Sequence, residues 1–417
     1  MKLKCNGGLL GGRRWVRRFG FCVSVLFSMW TQGAVNVYLT GVPDYEWEAG
    51  CVGTATGNLM GFWDRHGFPG FYTGPTSYGV APLDSFGAHS GIRSMWASRA
   101  GMDGRPEDQP GHADDYFLAF ASTAPDPHVT LGRAEHKPDC LGDFTGLNQN
   151  KWKNMNGECD GNIDGYAFVY WDASGARRFN FTPGPEAGLP ARDVQSGLRE
   201  WTEVRGYRAD VFTQLSAFNT EVPPGQGFSF QDLKSEIDAG YPVVMFLQDF
   251  QTKSLRLLGM DRGNPWIHAV LAYGYMIAED GSQHVRIRDG YAGGDSVFRP
   301  WTTNSWWGDS LPLRGVIGYR PRPRIAGLAA ANGKLTIRWD GPNSERYNVE
   351  TGVITELHRY VVEMAPSPAG TEFTPISEPV AGLSVTIPIP ETQPAYFRLR
   401  LLPPPEEPQY PEDVSDD

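Results

Sequence analysis

The chain is poor in cysteine, in charge and in long apolar segments, and each shortage excludes a class of protein. Five cysteines in 417 residues are too few for a scaffold built on disulfides. Beyond residue 34 no stretch is long and apolar enough to cross a bilayer. Charged residues make up 20%, and 48 acidic residues outnumber 37 Lys and Arg. That acidic balance argues against nucleic acid and anionic lipid as partners, because both are polyanions.

The first 34 residues differ from the rest. They hold six Lys and Arg and no acidic residue, and an apolar run follows from Phe19 to Trp30. This order is typical of a secretory signal peptide, and the apolar run is short for a membrane span. We therefore expect residues 1–34 to be removed and the mature chain to be secreted, periplasmic or at the cell surface, without membrane contact. General secretion and twin-arginine export both stay open, and an uncleaved anchor is the alternative.

Three cysteines remain after the signal segment. In an oxidising compartment, three cysteines indicate one disulfide and one spare thiol. Cys140 and Cys159 lie in a Gly- and Asn-rich stretch, and we expect them to form the disulfide. Cys51 is then the odd thiol, and it needs an explanation.

The pattern along the chain predicts an α+β protein followed by an all-β part. Residues 35–320 form the first domain, with helices over 53–65, 192–206 and 229–240 separated by apolar strands and a long surface insertion over 75–165. Residues 325–402 show short alternating runs separated by turns, as in a β-sandwich, and resemble a fibronectin type III module. Residues 403–417 are acidic and rich in proline, which predicts a disordered tail.

Three residues have the chemistry of a nucleophile, a base and an orienting carboxylate. Cys51 stands at the start of an amphipathic helix, where the helix dipole and free N–H groups favour the thiolate. His268 opens a buried strand, and Asp289 ends the apolar face of the next strand. The alternatives are a small buried cysteine, a core histidine and an aspartate that starts a turn.

The order of these segments resembles a known family. Trp47-Glu-Ala-Gly-Cys-Val-Gly-Thr-Ala55, then His268-Ala-Val-Leu-Ala-Tyr-Gly-Tyr275, then Val285-Arg-Ile-Arg-Asp289 are similar to papain-like cysteine peptidases. The likeness is to the bacterial group related to bacteriocin-leader-processing peptidases. It implies a papain-like fold, a helical part with Cys51 and a β part with His268 and Asp289. It also implies hydrolysis of protein or peptide substrates by a thiolate–imidazolium pair, with no metal and no cofactor.

Two positions depart from the family pattern. The family has Gln six residues before the cysteine as oxyanion donor, and this chain has Tyr45, whose hydroxyl we expect to take that role. Asn304 lies in an Asn-Ser-Trp-Trp-Gly segment and is the reserve third member of the triad. Asp289 is preferred because it ends the strand directly after the histidine strand.

Other functions stay open on the sequence alone. An inactive papain-like fold used for binding or adhesion, and a transglutaminase-like acyltransferase, are the alternatives to a peptidase. The C-terminal module would contact the substrate, the cell surface or a polysaccharide. Asp160 to Asp164 have the opening of a calcium loop, but the twelfth position is Trp171 rather than Glu, which favours a turn.

Overall fold

The structure is a computed structural model. It describes residues 34–45, 50–71, 80–83, 140–147, 169–182, 193–248, 267–291, 297–302, 312–368, 372–390 and 395–405. The predicted signal peptide falls on residues outside these ranges apart from its last residue. Cys159, Asn304 and the Asp160–Asp164 segment also lie outside them, as do most of the predicted insertion and residues 406–417 of the predicted tail.

Four helices and sixteen strands are formed by the described residues. The helices are α1 (Gly50–Arg65), α2 (Leu141–Phe144), α3 (Val194–Val204) and α4 (Phe230–Asp238). The strands are β1 (Val35–Leu39), β2 (Arg178–Phe179), β3 (Arg208–Leu215), β4 (Val243–Gln248), β5 (Ile267–Ile277), β6 (Gln283–Arg288), β7 (Val297–Pro300), β8 (Leu313–Arg322), β9 (Arg324–Ala331), β10 (Lys334–Asp340), β11 (Glu345–Asn348), β12 (Val353–Glu356), β13 (Tyr360–Ala365), β14 (Thr374–Pro375), β15 (Ser384–Pro388) and β16 (Tyr396–Leu401). No described helix has the length and apolar character that a membrane span requires.

One large sheet organises the first part of the chain. Its strands run in the order β12-β11-β1-β5-β4-β8-β3-β2, with β6 beside β5 and β7 beside β6. Neighbouring strands of this sheet run antiparallel to each other. A few helices pack against this sheet, so the prediction of a mixed α and β protein with mostly antiparallel strands is confirmed.

Helix α1 lies in the core against this sheet. Its residues from Gly50 to Asp64 are all buried, and it packs on β5 and β4. A helix that is buried on every face belongs in the centre of a protein, and the Ala, Leu, Met and aromatic residues of α1 suit that place. The helix begins three residues before the predicted start at residue 53, so Cys51 lies inside its first turn.

The C-terminal part forms two further sheets of three strands each, β15-β10-β9 and β14-β13-β16. Their inner faces share a second hydrophobic core, made by Ile337, Trp339, Tyr360, Val362 and Ile387. Two small sheets around one core are a sandwich arrangement.

The hairpin of β11 and β12 leaves this sandwich and joins the large sheet. Tyr347 pairs with Tyr38 of β1, and β1 in turn pairs with β5. Hydrogen bonding therefore crosses the boundary that the sequence predicts between residues 320 and 325. The two parts of the chain share one sheet.

Polar contacts and close packing also join the C-terminal part to the first part of the chain. The Gly341 amide donates to the Gly67 carbonyl over 3.1 Å, and a Cβ at Gly67, where φ is +97°, would lie 1.9 Å from the Gly341 oxygen. Buried Arg346 of β11 forms an ion pair with Asp238 of α4, and Asp238 also accepts from the Tyr275 hydroxyl of β5 at 2.8 Å. These contacts tie the hairpin to the central strand.

Candidate active site

The Cys51 side chain lies where α1 meets β5. The residue is buried, 9% exposed, and its sulfur is within hydrogen-bonding reach of the backbone of Ala269. Ala269 follows His268 directly on β5. A residue in the first turn of α1 has therefore been brought against the residue next to the predicted base, although more than two hundred positions separate them in the sequence.

His268 is held by the sheet around it. It pairs with Leu247 on β4, and it is only 5% exposed. Its backbone has little freedom, because the ladder hydrogen bonds between β5 and β4 fix the strand that carries it. The imidazole is therefore set in place by β5.

Asp289 reaches His268 through the pairing of β5 with β6. Leu271 pairs with Arg288, so the chain after β6 continues along the first residues of β5. The imidazole of His268 hydrogen-bonds to the backbone carbonyl of Asp289, and the Asp289 carboxylate acts on it through its charge. Carboxylate oxygen Oδ1 accepts from the Tyr291 amide at 3.0 Å. The structure thus places the Cys51 sulfur against the residue after His268, and the Asp289 carbonyl against the His268 imidazole.

Burial keeps the thiol and the imidazole neutral. It raises the pKa of the Cys51 thiol to about 11, against the lowering effect of backbone hydrogen bonds from Ala269 and the first turn of α1. It lowers the pKa of His268 to about 4, although the Asp289 charge and carbonyl raise it. The loss of hydration therefore outweighs the helix N-terminus, which alone favours thiolate. Near pH 7 the site holds a neutral acid beside a neutral base.

Tyr291 is a site residue that the sequence interpretation missed. Its ring centroid lies 5.8 Å from that of His268, at an interplanar angle of 31°, and 47% of the residue is exposed. Burial and the charges of Cys51 and Asp289 raise the pKa of its phenol. Tyr291 is thus a partly exposed ring against the buried imidazole. Its place two residues after Asp289, across the turn at Gly290, was the available signal.

A second carboxylate lies beside the triad. Asp44 forms an ion pair with Arg288 over 3.2 Å, and the Arg288 guanidinium also donates to the Val42 carbonyl at 3.2 Å. Burial raises the pKa of Asp44 to about 6, Arg288 lowers it, and the Asp289 charge raises it further. The segment before α1 is therefore linked electrostatically to the end of β6.

Tyr45 does not occupy the position that the oxyanion role requires. Its hydroxyl donates to the Pro82 carbonyl at 3.1 Å, and its amide donates to the Asn58 side chain at 2.9 Å. A Cβ at Gly61 would lie 2.4 Å from the Tyr45 hydroxyl. Gly61 is ten residues after Cys51 on the helix, about 15 Å along its axis. The prediction for Tyr45 is corrected, because its hydroxyl is directed away from the sulfur.

The remaining predicted residues are placed only in part. Cys140 is buried at the start of α2, and its predicted partner Cys159 lies outside the described residues, within which no disulfide is formed. Asn304, the reserve triad member, also lies outside them. Among the side chains that the structure describes, no group of three His, Cys, Asp or Glu is arranged to hold a metal ion.

Comparison with protein-family models, curated proteins and solved structures finds no match to this chain.

Proposed function

We propose that the chain is an exported cysteine peptidase of papain-like type, with Cys51 as nucleophile, His268 as general base and acid, and Asp289 as the orienting residue. The observation that carries this proposal is the contact between the Cys51 sulfur and the backbone of Ala269, directly after His268. A helix that presents a thiol to the strand bearing the imidazole is the arrangement such an enzyme needs.

The chemistry follows from the protonation states. The Cys51 thiol passes its proton to the neutral imidazole while its sulfur attacks the carbonyl carbon of a peptide bond. The adduct collapses to a thioester as His268 returns that proton to the leaving amine. Water, deprotonated by His268, then hydrolyses the thioester and frees Cys51. A neutral thiol beside a neutral imidazole carries the same number of protons as the ion pair, so the first step moves a proton only within the site.

The negative charge that forms on the substrate oxygen needs a hydrogen-bond donor to stabilise it. Since Tyr45 is directed elsewhere, the backbone amide of Cys51, in the first turn of α1, is the donor that the proposal assigns. The free amides of a first helical turn carry partial positive charge, which suits a developing oxyanion.

Labelling tests the proposal directly. An epoxide or iodoacetamide reagent linked to a short peptide should add once to the native chain, at Cys51, as detected by intact mass and peptide mapping. Cys51→Ala should abolish this label and the hydrolysis of a fluorescent protein substrate. His268→Ala should slow both by about a hundredfold or more, since a general base contributes 10²- to 10⁴-fold.

Cys140→Ala combined with Cys159→Ala is the matched control, because it removes both cysteines of the predicted disulfide, creates no new free thiol and should leave both signals unchanged. The proposal fails if His268→Ala, still folded by circular dichroism, labels and hydrolyses at the native rate. Incorporation of an amine probe without hydrolysis would instead assign the transglutaminase-like alternative.

A specific observation favours a second candidate, a papain-like fold that binds without catalysis. Both members of the pair are nearly inaccessible, and the predicted oxyanion donor is absent from the site. In that case Cys51 would label only after denaturation, and no substrate would be cleaved by the native chain.

A further inference from the structure

A polar cleft lies far from the candidate active site. It encloses about 630 Å³ and is lined by Asn180, Arg199, Glu203, Gly206, Tyr207, Arg208, Ala209, Asp210 and Arg322. Arg322 ends the ten-residue strand β8, whose first residue, Leu313, pairs with Leu247 beside His268. Ten residues of strand extend over about 30 Å, so the cleft and the thiol are at opposite ends of the sheet.

The arginines of this cleft are not all neutralised. Arg322 binds both oxygens of Asp210, at 2.9 and 2.6 Å, and that pair is complete. Arg199 donates to neutral oxygens, the Asn180 carbonyl and the Thr182 hydroxyl. Arg208 is exposed and forms no ion pair with another described residue. Arg199 and Arg208 therefore remain available to carboxylates, which guanidinium groups bind well.

The end of this chain carries a matching charge. Residues 406–417 contain six Glu and Asp and no Lys or Arg. The cleft carries three arginines against two acidic residues, Glu203 and Asp210, in a chain where 48 acidic residues outnumber 37 Lys and Arg. Charge complementarity therefore favours this acidic segment as an occupant of the cleft.

The path of the chain brings the segment close. The Leu402 amide donates to the Arg359 carbonyl at 2.8 Å, and the next residue, Tyr360, reaches the Pro342 carbonyl with its hydroxyl. Gly341, beside Pro342, approaches Pro323, since a Cβ there would lie 2.9 Å from the Pro323 ring. Pro323 follows Arg322 directly. The chain after β16 thus leaves the sandwich near the cleft, and twelve extended residues span up to about 40 Å.

We propose that the acidic segment 406–417 binds in this cleft, with its carboxylates on Arg199 and Arg208. The cleft is then a site for an acidic, extended peptide that this chain itself supplies. Tethering gives such a segment an effective concentration in the millimolar range, so even modest affinity keeps the cleft occupied. The proposal does not depend on the peptidase activity.

A peptide-binding experiment tests it. A fluorescent peptide of residues 403–417 is titrated with the chain truncated after Pro405, and its anisotropy is followed. We expect a Kd below about 0.1 mM, because a segment tethered at about 1 mM then weakens binding of the free peptide about tenfold. The full chain should bind at least tenfold more weakly, because its own segment competes. Raising the salt from 50 to 500 mM should weaken binding to the truncated chain.

Charge reversal locates the site. Arg199→Glu with Arg208→Glu should weaken the peptide at least tenfold, whereas the control Arg338→Glu, an exposed arginine of β10, should not. Equal binding to full and truncated chains, or no effect of the double reversal, overturns the proposal. The proposal is also overturned if the truncated chain does not bind the peptide but binds heparin through the same arginines. That result would assign the cleft to an external polyanion.

Discussion

At the scale of single residues, Cys51 and His268 are controlled mainly by the loss of water. Each side chain is almost fully buried, and burial disfavours the charged form of both, so the thiol keeps its proton and the imidazole stays without one. The free-energy cost of forming the thiolate and imidazolium falls when solvent or a polar substrate enters the site. We therefore expect access to the pair to affect reactivity as much as its geometry does, and the partly exposed Tyr291 ring beside His268 is the described side chain through which this can be tested.

Tyr291→Ala should expose the pair. Removing the ring admits water and small reagents, so alkylation of Cys51 by neutral iodoacetamide at pH 8 should accelerate several-fold. Tyr291→Phe keeps the ring and should react at nearly the native rate. Intact-mass measurement of samples quenched at several times gives both rates. Equal rates for Tyr291→Ala and Tyr291→Phe would show that the ring does not limit access.

Tyr45→Phe tests whether the Tyr45 hydroxyl has a structural role or a catalytic one. It removes the bond from the Tyr45 hydroxyl to the Pro82 carbonyl, which should cost about 1–2 kcal/mol of unfolding free energy in urea. Labelling of Cys51 and any substrate turnover should stay within twofold of the native chain. The matched control is Tyr319→Phe, which loses a buried bond to Thr202 at a distance from the site. A selective tenfold fall in turnover for Tyr45→Phe would restore its oxyanion role.

At the scale of elements, local pattern was enough for the central helix and strand. Apolar spacing predicts α1, and the apolar run after His268 predicts β5; the alternation of residues 284–289 predicts that Asp289 ends the next strand. Antiparallel pairing of consecutive strands then brings Asp289 to His268. The positions of Cys51, His268 and Asp289 in or beside their elements follow from local pattern, whereas their role as one site stays a prediction.

Other features depend on contacts between distant segments. The Tyr45 hydroxyl is directed by the space that Gly61 leaves on α1, which residue counting from Cys51 does not reveal. The pairing of Tyr38 with Tyr347 joins strands about three hundred positions apart, and no periodicity encodes such a partner. Side-chain direction and non-local pairing were therefore beyond the sequence.

The junction of α1 with the C-terminal part contains two neutral histidines. His66 faces the Thr40 carbonyl at 3.0 Å, and His358 contacts the Ser344 hydroxyl at 2.8 Å. Burial lowers the pKa of His66 to about 4 and that of His358 to about 3, below the ordinary value of about 6.5. The folded state thus binds fewer protons than the unfolded state. The unfolding free energy is therefore unaffected by these two histidines above about pH 6.5 and decreases as the pH falls toward 4.

His358→Gln should reduce this acid sensitivity. The loss of unfolding free energy between pH 6.5 and 5 should shrink by up to about 2 kcal/mol, because one linked histidine accounts for about 1.4 kcal/mol per pH unit. Urea denaturation at several pH values measures it, and His284→Gln on β6 is the control. Parallel curves for the native chain and His358→Gln would rule out this linkage.

At the scale of the whole molecule, the C-terminal part completes the sheet that carries the candidate site. Its hairpin is the outer neighbour of β1, and β1 is a direct neighbour of the histidine strand. Its loop at Gly341 covers the end of α1, and Arg346 joins α4 and β5 through Asp238. The sandwich therefore supports the first part of the chain structurally, in addition to any binding role.

Ending the chain after Arg322 should destabilise the part that holds Cys51. The truncation leaves β1 without β11, uncovers Gly67 and leaves Asp238 without Arg346, so residues 34–322 should unfold at least 10 °C lower than the full chain or fail to fold. Melting followed by circular dichroism, with native labelling of Cys51, measures the effect. The control is truncation after Pro405, which keeps all sixteen strands and should melt within about 2 °C of the full chain. If residues 34–322 melt as the full chain does and still react through Cys51 alone, the sandwich is an independent domain and the shared sheet contributes little to stability.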